Sequence, residues 1–333
     1  MKTLLLKSAI LLAPFVAMSM PTLARTAVTV ARVERSVTLR DGVFNDVFEG
    51  KYLAFVREDV NAIVAGDSRA ERQVAPAVVE ACAGWKTVNI GTNGGDLVTL
   101  HNAVRRHGLP PAVRVLLIST SVFQVNDGAI DPGYVSTACF LNMTGWERLA
   151  VYADRLGSPW APLEFTLTER PPVPPTGPRF RELGFLGVQG RLSLPLPKML
   201  LENHPWYRKL SLRGARWRIF RETLERLAQS DRQIYLFQPP ISPAWRAYTE
   251  GTFVDKGERE YIAMLTGAAA AHRNVRFLDF YSEADPRLGN DQYYDIQHLN
   301  RHGAEVFTRI LCDRVVHDLR ARGTWPSPKA PGT

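Results

Sequence analysis

Apolar residues along the chain fall into short, nearly continuous runs that are rich in β-branched and aromatic side chains. Five of these runs stand out, at Ala62–Ala65, Lys86–Ile90, Val113–Ser119, Gln233–Gln238 and Val275–Phe280. Such continuity is typical of strands buried on both faces, as in a parallel sheet that has helices on its two sides. The pattern therefore predicts five strands of a parallel sheet.

Between and after these runs, the spacing of apolar residues changes to that of amphipathic helices. The predicted helices are Glu71–Cys82, Asp96–His107, Leu212–Ala228, Lys256–His272 and Arg301–Arg322. Strand followed by helix, repeated about five times, predicts an α/β fold of flavodoxin-like type with a doubly wound, five-stranded parallel sheet, since a barrel needs eight such units. Active sites in such sheets lie at the carboxyl ends of the strands.

The alternation of strands and helices breaks after the third strand. Residues 127–205 contain proline-rich and glycine-rich stretches without a clear period. We interpret this segment as an irregular insertion, which is either a solvated loop or a lid or shelf for substrate over the strand ends. The rest of residues 25–323 is predicted to form one α/β domain, and the tail 324–333, with its three prolines, is predicted to be disordered.

The first 24 residues have the features of an export signal. Lys2 and Lys7 form a positive start, residues 8–20 are apolar and uncharged, and Thr22-Leu23-Ala24 offers a small-residue cleavage site. An uncleaved membrane anchor is the alternative, if the apolar segment is counted from Leu4. Either form places the domain in the periplasm or elsewhere outside the cytoplasm, secreted or anchored to the inner membrane.

The chain is basic, with a formal net charge of +8 over 333 residues. Its arginines are dispersed, whereas nucleic-acid-binding proteins cluster Lys and Arg on one face, so we expect no nucleic-acid partner. Three cysteines, Cys82, Cys139 and Cys312, lie far apart without the CxxC spacing of zinc or redox sites. Two of them can pair in an oxidising compartment, and buried free thiols are the equal alternative.

The first predicted strand ends in Gly66-Asp67-Ser68-Arg69, directly before a helical pattern. A serine in this place stands at the carboxyl edge of the sheet, near a helix N-terminus whose dipole favours developing negative charge. The same residues also form ordinary turns and N-caps. The motif alone therefore does not identify a nucleophile.

A glycine cluster, from Asn89 to Asp96, follows the second predicted strand. Glycine lets backbone N–H groups turn toward a ligand, as an oxyanion hole requires. A phosphate cradle is a competing function, but the P-loop lysine and the GxGxxG spacing are both missing. A plain tight turn is the structural alternative.

After the fifth predicted strand, Asp295-Ile296-Gln297-His298 precedes the last helix, for which Asn300 is a suitable N-cap. An aspartate three residues before a histidine can orient the imidazole that takes the proton of a serine. His302 suggests a metal site together with Asp295 and His298, yet the general-base glutamate of an HExxH pattern is absent. We expect a triad, with no metal and no cofactor.

The three motifs follow strands one, two and five, so the predicted topology brings them to one edge of the sheet. Together they resemble the motifs of the SGNH hydrolase superfamily, the GDSL-like lipases and esterases, over residues 61–314 apart from the insertion. The resemblance implies that Ser68 is the nucleophile, His298 the base and Asp295 the acid of a catalytic triad.

The resemblance also implies an oxyanion hole made of the backbone N–H groups of the nucleophile and of Gly94. In that family an asparagine after the third strand adds a side-chain donor, but here residues 119–124 contain none. Ser121, Asn93 or Asn126 are candidates for this role. Loss of one such donor typically lowers the rate by about 10²- to 10³-fold, which bears on whether the protein is an efficient hydrolase.

Arg69 gives the first motif a Gly-Asp-Ser-Arg form, which looks like that of exported relatives associated with acylation of cell-wall or extracellular polysaccharides. In that interpretation Arg69 binds an anionic sugar or an acyl donor, and a salt bridge to Glu71 or another surface acid is the alternative. Trp245, like other aromatic residues in or beside the insertion, is a candidate for stacking on a sugar ring or for packing.

These features predict an exported serine esterase or O-acyltransferase that acts on O-acyl groups, acetyl in particular, of a cell-envelope or extracellular polysaccharide. The acyl-serine passes to water in an esterase and to a sugar hydroxyl in a transferase. The missing asparagine motivates the alternative, a non-catalytic glycan-binding or assembly subunit of a polysaccharide biosynthesis or export system. Expected partners are a carbohydrate or acylated glycan substrate and other proteins of the envelope polysaccharide machinery.

Overall fold

The computed structural model describes residues 46–128, 142–147, 176–197 and 210–324. The predicted export segment, the tail beyond residue 324 and most of the predicted insertion lie outside the described residues. Within the described ranges, no helix combines the length and the apolar character that a membrane span needs.

The sheet consists of five parallel strands. They are β1 (Ala62–Ala65), β2 (Thr87–Asn89), β3 (Val115–Ser119), β4 (Gln233–Gln238) and β5 (Val275–Asp279). Their order is β2-β1-β3-β4-β5, with Ala62 of β1 paired to Thr87 of β2 and to Val115 of β3. This order confirms the predicted flavodoxin-like doubly wound fold. The chain reverses its direction of growth between β1 and β3, which is where ligands bind in such sheets.

The described helices alternate with the strands. They are α1 (Asp46–Phe55), α2 (Ser68–Gln73), α3 (Pro76–Ala83), α4 (Leu97–His107), α5 (Val122–Val125), α6 (Ala215–Ala228), α7 (Pro243–Thr249), α8 (Phe253–Ala270) and α9 (Arg301–Ala321). The prediction of one helix over Glu71–Cys82 was wrong, because Val74 is extended and Pro76, which has no N–H, starts a new helix. Helices α5 and α7 are too short to show a helical period in the sequence.

Alternate residues of each strand pack on opposite faces of the sheet. In β3, Leu116 and Ile118 belong to one hydrophobic cluster, whereas Val115 and Leu117 belong to another. Helices α1, α4, α6 and α8 contribute to the first cluster, and α2, α3 and α9 to the second. The sheet is therefore the middle of three layers, with a separate apolar core on each side.

A disulfide between Cys82 and Cys312 joins the end of α3 to α9. The sequence left open whether cysteines pair, and the structure shows this pair. Cys139 lies outside the described residues. The bond closes a loop of 230 residues, and disulfides of this kind persist in oxidising compartments.

Residues 176–197, which fall within the predicted insertion, pack onto the domain. The backbone N–H of Leu186 donates to the Glu71 carbonyl at 2.9 Å, and that of Leu192 donates to the Tyr293 carbonyl at 2.7 Å. The side chain of Phe185 is 3% exposed and belongs to the second core. This part of the insertion is therefore held against the domain at Phe185, Leu186 and Leu192.

Lys51 of α1 is a fully buried cation. Its Nζ donates to Glu71 Oε1 at 2.9 Å and to the carbonyls of Gly91 and Gly184 at 2.6 and 2.9 Å, so its three donors are all used. Burial lowers the pKa of Lys51, and the charge and hydrogen bond of Glu71 oppose this effect. The guanidinium of Arg179 lies 3.6 Å from the same carboxylate. One ammonium thus connects four separate segments of the chain.

Replacement of Lys51 by methionine tests this connection. Lys51→Met leaves the Glu71 carboxylate buried without its main partner, so we expect the free energy of unfolding to fall by about 3–5 kcal/mol. The double variant Lys51→Met/Glu71→Leu removes both charges and should recover most of that loss. Urea unfolding followed by circular dichroism measures both values. A double variant as unstable as the single one would contradict the ion-pair interpretation.

Candidate active site

The turn after β1 presents Ser68 at the carboxyl edge of the sheet. Gly66 has a φ of +130°, and a Cβ there would lie 2.5 Å from the carbonyl oxygen of Ser119, so only glycine fits this turn. Asp67 caps α2, because its Oδ1 accepts the backbone N–H of Arg69 at 3.0 Å. Ser68 is the first residue of that helix.

The loop after β5 brings a histidine and an aspartate to this serine. Ser68 Oγ lies 2.8 Å from His298 Nε2, and His298 Nδ1 lies 2.8 Å from Asp295 Oδ2. Asp295 Oδ1 also accepts the backbone N–H groups of Gln297 and His298, both at 2.8 Å. A bridge between Tyr293 and Leu299 closes the loop at its base. The three residues singled out in the sequence thus form one hydrogen-bonded row.

The Asp295 carboxyl is held in its ionised form. Burial raises its pKa, but the hydrogen bond and charge of His298, together with two backbone N–H groups, outweigh burial, so the net pKa is below the usual value. A carboxylate in this position accepts the Nδ1–H of His298, which leaves Nε2 free to accept a proton from Ser68.

The glycine cluster after β2 lies directly against the turn that carries Ser68. The backbone N–H of Thr92 donates to the Gly66 carbonyl at 3.1 Å. A Cβ on Gly95 would lie 2.3 Å from that same oxygen, so the close approach requires glycine. Asn93 and Gly94, at the tip of this loop, are exposed.

A small cavity of about 50 Å³ opens beside Ser68. It is lined by Asp67, Ser68, Arg69, Asn93, Gly94, Gly95, Asp96, Ser121, Phe123, Gln124, Gln297 and His298. Three of these residues could not be identified from the sequence as part of a site, namely Gln124, Gln297 and Phe123. Glutamine and phenylalanine outside a motif do not indicate a binding or catalytic site.

The three side chains considered as oxyanion donors differ in their surroundings. Ser121 is 1% exposed and is the N-cap of α5, but its hydroxyl makes no capping bond and has no hydrogen-bond partner within the described part of the chain. Asn93 also lines the cavity. Asn126 is fully buried elsewhere, where its Oδ1 accepts the N–H groups of Gly128 and Ser211.

The predicted role of Arg69 in substrate binding does not fit its contacts. Arg69 is 3% exposed, and its Nη2 donates to the Thr120 carbonyl at 2.9 Å and lies 3.6 Å from Asp67 Oδ2. The alternative was a salt bridge to Glu71 or another surface acid, and the acid that Arg69 meets is the buried Asp67, since Glu71 pairs with Lys51. Arg69 instead ties the turn that carries Ser68 to the end of β3.

The proposed stacking of Trp245 on a sugar ring was also wrong. Its side chain is 1% exposed and packs with Ile241, Val254 and Tyr281 in a small apolar cluster. Its ring stacks on Tyr248, with a centroid distance of 5.6 Å. A tryptophan buried in this way anchors α7 to the domain and has no free face for a ligand.

A metal site was the alternative role for Asp295, His298 and His302. His302 is exposed on α9, and no group of three or more His, Cys, Asp or Glu residues among those described is arranged to hold a metal ion.

Glu258 of α8 is a buried acid that the sequence analysis missed. It is 4% exposed, and its Oε2 accepts a hydrogen bond from Gln238 Nε2 at 2.6 Å. Burial raises the pKa of Glu258 to about 7, although the positive charge of Arg69 and the hydrogen bond from Gln238 lower it. The acid is therefore near enough to Arg69, the residue after Ser68, for the charge of the guanidinium to affect it.

No protein-family model and no curated protein matches the sequence. Among solved structures, a lipase/acylhydrolase from Enterococcus faecalis is 13% identical with a TM-score of 0.39, covering 81% of this chain and 100% of that one. A carbohydrate acetylesterase family member from Sinorhizobium meliloti is 12% identical with a TM-score of 0.32, covering 78% and 100%. An inhibitor-bound aryl esterase from M. smegmatis is 10% identical with a TM-score of 0.33, covering 77% and 98%. These values are too low for an activity to be transferred to this chain.

The fold and the site together define an α/β protein with a hydrogen-bonded Ser–His–Asp row at the carboxyl edge of a parallel sheet. The row lies beside a small cavity and next to a glycine loop.

Titration of Glu258 should be visible in the stability of the protein. Its folded pKa, about 7, is above the value of 4.5 for a free glutamate. The folded state thus binds the proton more tightly, and the free energy of unfolding falls by about 3 kcal/mol as pH rises from 4.5 through 7. In Glu258→Gln this contribution is absent. Chemical unfolding at several pH values measures the difference, with the exposed Glu225→Gln as control. Parallel pH profiles for wild type and Glu258→Gln would contradict the assignment.

Proposed function

We propose that this protein is a serine esterase or O-acyltransferase of the SGNH type, acting on O-acyl groups of a cell-envelope or extracellular polysaccharide. The observation that carries the proposal is the continuous row from Ser68 Oγ through both His298 nitrogens to Asp295, with 2.8 Å at each step. These distances lie within the range for a nucleophile and its base.

In the proposed reaction, Ser68 Oγ attacks the acyl carbonyl while His298 Nε2 takes the hydroxyl proton. Asp295 holds the imidazole tautomer and stabilises the imidazolium. Collapse of the tetrahedral intermediate breaks the ester bond, and His298 returns the proton to the sugar oxygen that leaves. Water or a second sugar hydroxyl then attacks the acyl-serine, with His298 again as base.

The oxyanion of that intermediate needs hydrogen-bond donors. We propose the backbone N–H groups of Ser68 and Gly94, and a side-chain donor in place of the absent asparagine. Ser121 is the better candidate for this donor, because the residue lines the cavity and its buried hydroxyl has no hydrogen-bond partner among the described residues. Asn93 is the alternative.

The Cys82–Cys312 disulfide supports a location outside the cytoplasm. We propose a periplasmic or other extracytoplasmic protein, secreted or held at the inner membrane by its first 24 residues, which works with other proteins of the polysaccharide machinery.

Mutation of Ser68 tests the enzyme proposal. In the chain that starts at Arg25, Ser68→Ala should lower the hydrolysis of p-nitrophenyl acetate by about 10⁴-fold or more, because the covalent route is lost. Labelling by a serine-directed phosphonate should vanish with it. The exposed Ser282→Ala is the matched control. A folded wild type with neither turnover nor labelling would instead support the glycan-binding or assembly subunit.

Acceptor dependence separates the two forms of the enzyme. Acetate release that is unchanged by an added oligosaccharide indicates an esterase. Transfer of the acetyl group to that oligosaccharide indicates a transferase.

Ser121 should contribute to kcat more than to KM. Ser121→Ala removes a donor that acts only on the oxyanion, so we expect kcat to fall by about 10²- to 10³-fold with KM nearly unchanged. Asn93→Ala should have a much smaller effect. If the larger loss follows Asn93→Ala, Asn93 is the donor and the assignment of Ser121 fails.

A further inference from the structure

The helix that begins at Ser68 ends at Gln73, and the side chain of Gln73 reaches the histidine loop, the loop after β5 that carries Asp295 and His298. Gln73 is fully buried, and its Nε2 donates to the backbone carbonyl of Gln297 at 2.5 Å. Gln297 directly precedes His298. One short helix thus carries the proposed nucleophile at its first position and a contact to the loop of the proposed base at its last.

The peptide group between Gln297 and His298 is held at both of its polar atoms. Its oxygen accepts the hydrogen bond from Gln73, and its N–H donates to Asp295 Oδ1 at 2.8 Å. A peptide group is planar, so two hydrogen bonds from its opposite sides fix its orientation. The Cα of His298 lies in the same plane. The point from which the imidazole side chain starts is therefore fixed with it.

The end of α2 that carries Gln73 is itself anchored. The side-chain amide of Asn89 donates to the carbonyls of Ala70 and Val74, at 2.7 and 2.8 Å. Val74 is the C-cap residue of the helix and directly follows Gln73. A side chain that starts from an anchored helix end can hold its partner in a defined place.

The amide of Gln73 is only half satisfied. Its NH₂ group faces the Gln297 carbonyl, and only that group can donate to a carbonyl, so the orientation of the amide is settled. Its Oε1 is buried and has no hydrogen-bond partner among the described residues. A buried acceptor of this kind lowers stability, and such groups are few in folded proteins. Glutamine is therefore a poor choice for packing alone, and its donor needs another explanation.

We propose that Gln73 is a positioning residue for the base, which through the Gln297 carbonyl holds the His298 imidazole at hydrogen-bond distance from Ser68. That distance is 2.8 Å between Ser68 Oγ and His298 Nε2. Gln73 is not among the described residues that line the cavity beside Ser68, so it acts through the loop and does not touch the substrate. This inference rests on the proposed function and adds a residue to the machinery of the same site.

Replacement of Gln73 by methionine tests the positioning. Gln73→Met keeps the length of the side chain and removes the donor, so the peptide group before His298 is free to turn. A displacement of about 1 Å in a reacting group costs on the order of 10²-fold. We expect kcat for p-nitrophenyl acetate to fall by about 10- to 10²-fold with KM nearly unchanged. Gln229→Met, an exposed exchange of the same kind at the end of α6, should keep the wild-type kcat.

A second background separates positioning of the base from a general effect on the fold. Enzymes of this kind that lack one member of the triad keep a residual rate of about 10³- to 10⁴-fold over water. In His298→Ala there is no imidazole to position. Gln73→Met should therefore leave the residual kcat of His298→Ala unchanged, whereas a general structural effect would lower it by the same factor as in wild type. Circular dichroism of each variant checks that it is folded.

Three results would overturn the inference while leaving the proposed function in place. They are a wild-type kcat in folded Gln73→Met, a loss that appears in KM and not in kcat, and an equal loss of kcat with and without His298. A wild type that neither hydrolyses p-nitrophenyl acetate nor reacts with a serine-directed phosphonate would instead overturn the proposed function, and this inference with it.

Discussion

The buried ammonium of Lys51 is the interaction on which the position of the site depends. Its partner Glu71 belongs to α2, the helix that Ser68 begins, and its second partner, the Gly91 carbonyl, belongs to the glycine loop that carries Gly94. Its third, the Gly184 carbonyl, fixes the segment that returns from the insertion. A protein with a buried ion pair is little more stable than one with an apolar pair in the same place. Any conformation that buries one of the two charges without its partner is, however, strongly destabilised. The helix that begins at Ser68 and the glycine loop are thus held in one relative position.

The sheet and the row of Ser68, His298 and Asp295 could be predicted from the sequence because both leave local signals. Buried parallel strands have continuous apolar runs, and the carboxyl ends of such strands meet at one edge, so motifs far apart in sequence could be placed together. Lys51 leaves no such signal. It pairs with residues 20, 40 and 133 positions away, and nothing in its neighbourhood distinguishes it from a surface lysine.

Arg69 and Trp245 show why residue type alone misled the prediction of substrate contacts. Both residue types are common at binding sites. Arg69 follows Ser68 in the sequence, and Trp245 belongs to a cluster that Ile296 of the histidine loop contacts. Whether such a side chain can contact a ligand depends on whether other parts of the fold cover it. Arg69 is covered by the end of β3, where the Thr120 carbonyl accepts its guanidinium, and Trp245 is covered by Val254 and Tyr281. Those covering residues are distant in sequence.

Polar groups around Ser68 fall into two sets, those that hold the loops in place and those that have no partner. Asp67, Asn89 and Asp295 each hold backbone N–H groups and fix the three loops of the site. Ser121 and Gln124, by contrast, line the cavity, and each has a buried side-chain oxygen without a partner in the described chain. A larger cavity of about 320 Å³ lies near Tyr293, at the base of the histidine loop, but Ser68 does not line it. Buried polar groups without a partner are few in folded proteins, and two of them belong to residues beside Ser68.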